Sequence, residues 1–190
     1  MRGFGRKRGR LLAGLDLAEI SLLAGLIDQL IELLTDEDVF ASAVPVESND
    51  PFELWEAEFR TAEPDADPRR IDPVLQRLFP DAYPNDPVAS AEFRRFTEID
   101  QRNRKVEAGQ VVIDDLATAH RGEIVIDPTH VNAWLTTFTN LRLALAIRLD
   151  ITDERAADEL AALPDGDPRN FLFSVYEWLG WLQESLVDSL

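Results

Sequence analysis

Six Asp-Pro dipeptides punctuate this sequence, at Asp50-Pro51, Asp67-Pro68, Asp72-Pro73, Asp86-Pro87, Asp127-Pro128 and Asp167-Pro168. An Asp carboxylate accepts hydrogen bonds from the open N–H groups of a helix start. Pro at the first helical position has its φ preset and lacks an N–H that would have no partner there. Several of the six therefore mark helix starts. Asp16-Leu-Ala-Glu19 adds a capping-box pattern, an Asp followed three residues later by Glu.

Apolar spacing fills in the segments behind these starts. Ile20, Leu23, Ile27, Leu30, Ile31 and Leu34 recur at three- and four-residue steps, with Leu22, Leu26 and Leu33 widening the stripe. A short helix is expected over 73–79, and the longest runs from Pro87 to about Thr118. Its seam passes through Ala89, Phe93, Phe96, Ile99, Asn103, Val106, Gln110, Ile113 and Ala117; polar seam positions such as Asn103 and Gln110 fix register or bond a neighbouring helix. A core helix over 128–149 presents Val131, Trp134, Leu135, Phe138, Leu141, Leu145 and Leu149, a short helix is expected near 152–163, and a last one from Pro168 to about Ser189 is rich in Leu, Phe and Trp. Glu123-Ile-Val-Ile126 reads as a strand, with 10–15 as its partner. The expected fold is all-α: a single-domain bundle of five to seven helices with a two-stranded ribbon pairing 10–15 with 123–126. No period of 20 to 50 residues repeats, which argues against a solenoid.

Charge sorts the chain into unlike parts. The net charge is −17, from 36 acidic and 19 basic side chains, yet residues 1–10 hold Arg2, Arg6, Lys7, Arg8 and Arg10 with no acid. Residues 11–190 then carry −22, and 36–67 hold eleven acids against Arg60 alone. The expected organisation is a basic arm over 1–10 and one helical domain over 11–190. The acidic stretch 36–67 reads as a solvated insertion with one helical candidate, 51–60, that places Phe52, Trp55 and Phe59 on a face. An acidic body repels nucleic-acid phosphate, so DNA or RNA contact is expected only through the arm. The arm could equally be a solvated start, or fold onto the acidic body, or attract an acidic partner. Leu11 to Leu15 is too short an apolar run for a signal-peptide core, and Asp16, Glu19, Asp28 and Glu32 forbid a membrane span nearby. A cytoplasmic location follows as the expectation.

The chain has no cysteine, which excludes disulfides, thiolate metal sites and a cysteine nucleophile. Gly3-Phe-Gly5-Arg-Lys-Arg-Gly9 has the wrong spacing and context for a dinucleotide loop. Asp127 and His130 form half of a bundle metal site, but the ligand count falls short, and Asp127 is explained as a cap. Ser21, Ser90, Ser174 and Ser185 read as helix residues without a base. Glu177 and Glu184, seven apart on one helix face, are expected to meet Arg142 or Arg148 in partly buried ion pairs rather than to act as a catalytic carboxylate pair. No catalytic, cofactor or metal residue is assigned. Trp178 and Trp181, with Phe171, Phe173 and Tyr176, point in more than one direction around the last helix, so they serve either the core alone or the core and a second chain.

Four stretches resemble the actinobacterial AosR-like oxidative-stress regulators, formerly a domain of unknown function. They are Asp16-Leu-Ala-Glu-Ile-Ser-Leu-Leu23; Leu78-Phe-Pro-Asp-Ala-Tyr83 with Glu92-Phe-Arg-Arg-Phe96; Asn132-Ala-Trp134 with Asn140-Leu-Arg-Leu-Ala-Leu145; and Val175-Tyr-Glu-Trp-Leu-Gly-Trp-Leu-Gln-Glu184. An Arg-heavy composition, 17 Arg to 2 Lys, fits a GC-rich bacterial source. The resemblance implies a non-enzymatic regulator of stress transcription that contacts an alternative sigma factor or RNA polymerase, with a cysteine-based switch in the studied branch. Lacking cysteine, and with its single Met at position 1, this chain cannot carry that switch. The expected partner surface comprises Arg2, Arg6, Lys7, Arg8 and Arg10 with Trp178 and Trp181. The alternatives are a DNA-touching module using the basic arm and a homodimer or other self-association.

Overall fold

A computed structural model describes residues 3–36, 72–164 and 166–190. The acidic stretch 37–67, the candidate helix 51–60 and Arg2 lie outside the described residues. Within them a three-stranded antiparallel sheet, β1 (Gly3–Lys7), β2 (Arg10–Gly14) and β3 (Glu123–Ile126), joins six α-helices. These are α1 (Leu17–Thr35), α2 (Pro73–Leu78), α3 (Pro87–Ala117), α4 (Val131–Arg148), α5 (Glu154–Ala161) and α6 (Pro168–Asp188).

The caps act where the sequence places them. Asp16 accepts from the N–H groups of Ala18 and Glu19 while Glu19 bonds back to its backbone, completing the capping box. Asp72, Asp86 and Asp167 each accept a backbone N–H at a helix start with Pro in the first turn. Asp127 does the same for a single 3₁₀ turn, Pro128–His130, so α4 itself begins three residues later than the Asp-Pro signal suggests.

The ribbon is larger than expected. Residues 3–7 are not an arm but the first strand of a hairpin, paired from Gly3 opposite Gly14 to Lys7 opposite Arg10. Arg8 and Gly9 both have positive φ, 54° and 79°, the two-residue turn whose twist matches the flanking strands. An Arg-Gly pair at the same geometry, Arg121 and Gly122, turns the chain into β3. The hairpin escapes a search for alternating apolar residues because β1 carries a single large apolar side chain, Phe4.

That one side chain ties the sheet to the core. Phe4 is buried and meets Trp134 and Phe138 edge-on, with ring centroids 5.3 and 5.9 Å apart. Trp134 and Phe138 are fully enclosed on α4, the central helix, which packs on α2, α3 and α6. Burying a Phe side chain contributes about 1.5–3 kcal/mol, so the amino-terminal strand is held by packing as well as by its ladder.

The seam expected along α3 is turned the other way. Its core-facing residues are Ser90, Ala108, Gly109, Val112, Asp115 and Leu116. Phe96 and Ile99 are 73% and 65% exposed, and Asn103 and Gln110 also face solvent. Ser90 escapes the cost of burial by donating to the Tyr83 carbonyl at 2.8 Å and accepting the Tyr83 N–H at 3.1 Å.

Candidate functional site

The structure sets the strand that carries Arg6 and Lys7 against the helix that carries Trp181. β1 lies against α6: the Phe4 N–H donates to Ser185 Oγ at 3.1 Å, and the Trp181 ring covers Gly3. A Cβ on Gly3 would stand 2.8 Å from the indole, and Gly3 has φ +58°, so glycine is required there on both counts. The two tryptophans divide their work. Trp178 is buried in the core, whereas Trp181 remains 39% exposed beside the hairpin.

The basic side chains divide as well. Arg6 reaches the end of α6, donating from Nε to the Ser189 carbonyl at 2.8 Å and from Nη2 to that of Leu190 at 3.0 Å. A guanidinium satisfies unpaired carbonyls there and complements the negative end of the helix dipole. Lys7 pairs with Glu123 across the sheet at 3.0 Å. Arg8 and Arg10 are exposed and make no ion pair among the described residues. Arg10 borders an open groove of about 410 Å³ lined by Arg6, Leu11, Ile126, Asp127, Val131 and Leu190 among others. Its floor is apolar, and two guanidinium groups and one carboxylate line it as well. Asp127 stays ionised in this setting: the Thr129 hydroxyl, then its N–H, hold that carboxyl below the usual range.

The ion pairs expected within the bundle are partnered differently. Arg142 does not meet Glu177 or Glu184; it lies over the Tyr176 ring, 5.2 Å from its centroid, and donates to Gln183 at 2.9 Å. Gln183 passes the contact on to Thr139. Arg148 pairs with Asp72, the α2 cap, at 2.8 Å. Glu177 and Glu184 share a face of α6, as their spacing requires, but that face is the solvent side.

The polar centre of the molecule is one that sequence reasoning missed. Asp115, buried on α3, accepts the Trp134 indole N–H at 2.8 Å and faces His130 Nδ1 at 3.0 and 3.1 Å. These bonds join the end of α3 to the start of α4. Helical spacing with Val112 and Leu116 places Asp115 on the apolar side, which is the one available signal, but it does not reveal the partners. Lys105 sits half-buried with Nζ on Asn140 Oδ1 at 2.9 Å and over the Phe79 ring, and desolvation lowers its pKa. Among the described residues no three His, Cys, Asp or Glu side chains cluster tightly enough to hold a metal ion, and no helix is long and apolar enough to cross a membrane.

Known proteins are similar to this chain over nearly its whole length. A family model described as a domain of unknown function, DUF2017, matches residues 1–190. The putative oxidative stress regulator AosR of Mycobacterium leprae is 33% identical over 185 residues, which cover 90% of this chain and 78% of that protein. The oxidative stress regulator AosR of Mycobacterium tuberculosis is 30% identical over 182 residues, covering 89% of this chain and 77% of its own length. No solved structure matches the chain.

Proposed function

The chain belongs to the DUF2017 family, with relatives named as oxidative stress regulators, and on that premise we propose that it is a non-enzymatic cytoplasmic regulator that works by binding a protein of the stress-transcription machinery, an alternative sigma factor or RNA polymerase carrying one. The observation that carries this reading is the groove beside the hairpin, where an apolar floor of Leu11, Val125, Ile126 and Val131 is bordered by the guanidinium groups of Arg6 and Arg10, with exposed Arg8 in the adjoining turn. An apolar floor bordered by arginine is a composition that protein interfaces favour. With no cysteine in this sequence, a response to oxidants does not run through a thiol of its own.

DNA contact through the same basic residues is the weaker reading. Arg6 and Lys7 are already committed to the α6 end and to Glu123, which leaves Arg8 and Arg10 for phosphate. Two phosphate contacts give a salt slope of only about −2 in log K against log salt, a feeble hold on an acidic body. Deleting residues 1–10 would remove β1 and the Phe4 anchor, so charge reversal is the sounder test. Arg8→Glu with Arg10→Glu should weaken binding to a purified alternative sigma factor or its holoenzyme about tenfold or more while thermal stability holds. Unchanged affinity in titration calorimetry sinks the reading, as does the absence of any binding by the wild-type chain. Retention of duplex DNA at low salt that the double variant abolishes would favour the alternative.

A further inference from the structure

One cation in the interior of the bundle has no carboxylate to answer it. Lys105 is half-buried where α3 and α4 meet the end of α2, with Nζ donating to Asn140 Oδ1 at 2.9 Å and lying 5.5 Å from the centre of the Phe79 ring. One turn earlier on the same helix Arg102 bonds Glu98, and Lys7, the other lysine of the chain, pairs with Glu123. Lys105 makes its hydrogen bond to a neutral amide and forms no ion pair among the described residues. In a chain with 36 acidic side chains against 19 basic ones, that calls for a reason. An ammonium drawn out of water loses hydration that a nearby carboxylate ordinarily offsets. With none beside it, burial lowers the Lys105 pKa.

The amide that receives Lys105 has an unanswered group of its own. Asn140 is 2% exposed, and its Nδ2, the other arm of the same amide, has no hydrogen-bond partner among the described residues. A flipped amide would set Nδ2 against Nζ, donor against donor, so Lys105 itself dictates the orientation. Two donors therefore stand side by side, an ammonium with N–H positions to spare and an enclosed amide N–H without an acceptor. Enclosed donors are normally met by protein, by water or by an ion. One positive charge with two adjacent donors matches a carboxylate, which brings one negative charge and two acceptor oxygens. A phosphate monoester brings about two charges and three such oxygens, more than these groups answer.

We infer that Lys105 and Asn140 form a carboxylate-binding site at the junction of α2, α3 and α4, in which one oxygen accepts from Lys105 Nζ and the other from Asn140 Nδ2. Phe79 supplies an apolar wall. Because these three residues belong to three different elements, filling the site ties the end of α2 to the two long helices. The same chemistry is offered by a free small organic acid and by an Asp or Glu side chain of the protein, and the two sources are separable by experiment. The site shares no residue with the groove beside Arg10, and the inference is independent of the regulatory reading.

With lysine at positions 7 and 105 alone, the full chain labelled in carbon and nitrogen gives two lysine side-chain signals, and Lys7 serves as the internal control. Acetate replacing chloride at constant ionic strength should shift the Lys105 Cε and Nζ signals saturably, with a Kd on the order of 1 mM, while Lys7 stays nearly still. The thermal midpoint should rise over the same range. Asn140→Asp sets a fixed carboxylate against Nζ and removes Nδ2, so it should weaken the acetate response about tenfold or more. Such a response identifies a free acid as the ligand. With no acid added, a hydrogen-bond coupling from Lys105 Nζ to a protein carboxyl carbon identifies a side chain instead, and either result upholds the site. Lys105 signals that respond to acetate no more than those of Lys7, and couple to no protein carboxyl carbon, overturn it. An acetate response that Asn140→Asp leaves intact overturns it as well. Should that variant fail to fold, the wild-type spectra decide alone.

Discussion

α3 and α6 begin alike and end in different surroundings. Each opens on an Asp cap followed by Pro, and each carries aromatic side chains along its length. Yet α6 is clamped from several sides, by α4, α5 and β1, and buries Phe173, Val175, Trp178, Leu179, Leu182 and Leu186. α3 is held by α1 and α4 along its second half, while its first half shows Phe96 and Ile99 to solvent. A cap decides where a helix starts, and its neighbours decide which of its faces is core. An apolar residue is therefore worth several kcal/mol on the core face of α6 and almost nothing where Phe96 and Ile99 stand on α3.

Substitutions can sharpen that contrast. Leu179→Ala, at a fully buried α6 site, should cost about 2–5 kcal/mol in denaturant unfolding. A loss below 1 kcal/mol would mean that α6 is not central. On the buried half of α3, Asp115→Ala strips the Trp134 indole of its acceptor and should cost about 1–3 kcal/mol, a fall of several degrees in thermal midpoint. No loss there would show the network to be dispensable. Gly3→Ala forces a left-handed backbone and pushes on Trp181, so about 1–2 kcal/mol should be lost, with a change in tryptophan fluorescence as β1 lifts from α6.

The α6 cap gives a smaller effect with a pH signature. The Arg169 side chain, and then its backbone N–H, hold the Asp167 carboxyl down to about 2. Its folded value lies below the ordinary carboxylate value, so its stabilisation is complete above about pH 4 and is lost as pH falls through about 2. Asp167→Ala should lower the thermal midpoint slightly at neutral pH, and the gap from wild type should close on acidification. A gap that is independent of pH would show that the carboxylate charge plays no part. Smallest of all, Phe96→Ala should move stability by no more than about 0.5 kcal/mol, the mark of an exposed aromatic. A loss comparable to that at Leu179 would place the first half of α3 in the core after all.

The punctuation of the fold was legible because capping is local. Asp16, Asp72, Asp86 and Asp167 each act within three residues of their own position, so the sequence carries the whole interaction. β3 was legible for the same reason, as a β-branched run closed by Asp127. The hairpin was half legible: β2 was read as the partner of β3, but β1 has Phe4 as its one apolar anchor and residues 1–10 read as a basic arm. Of the candidate site, the joint surface of hairpin and α6 was named as two separate features. That they meet depends on Phe4 reaching Trp134 and Phe138 across the core.

What the sequence determined by itself, then, is where the Asp-capped helices α1, α2, α3 and α6 start, that the core is helical, that the charge is unevenly divided, and that no thiol chemistry is open to the chain. Each of these is a property of composition or of neighbours within a turn. Only the tertiary structure decided that Arg6 closes the end of α6, that Arg142 lies on Tyr176 beside Gln183, that Asp115 holds Trp134, and that the α3 seam looks outward. Periodicity gives every helix an apolar stripe but does not say whether that stripe meets its own fold or another molecule. On α3 the inward face combines Val112 and Leu116 with the small and polar Ser90, Ala108, Gly109 and Asp115, which fit close against α1, α4 and the loop at Tyr83, and the larger side chains of its first half are left outside.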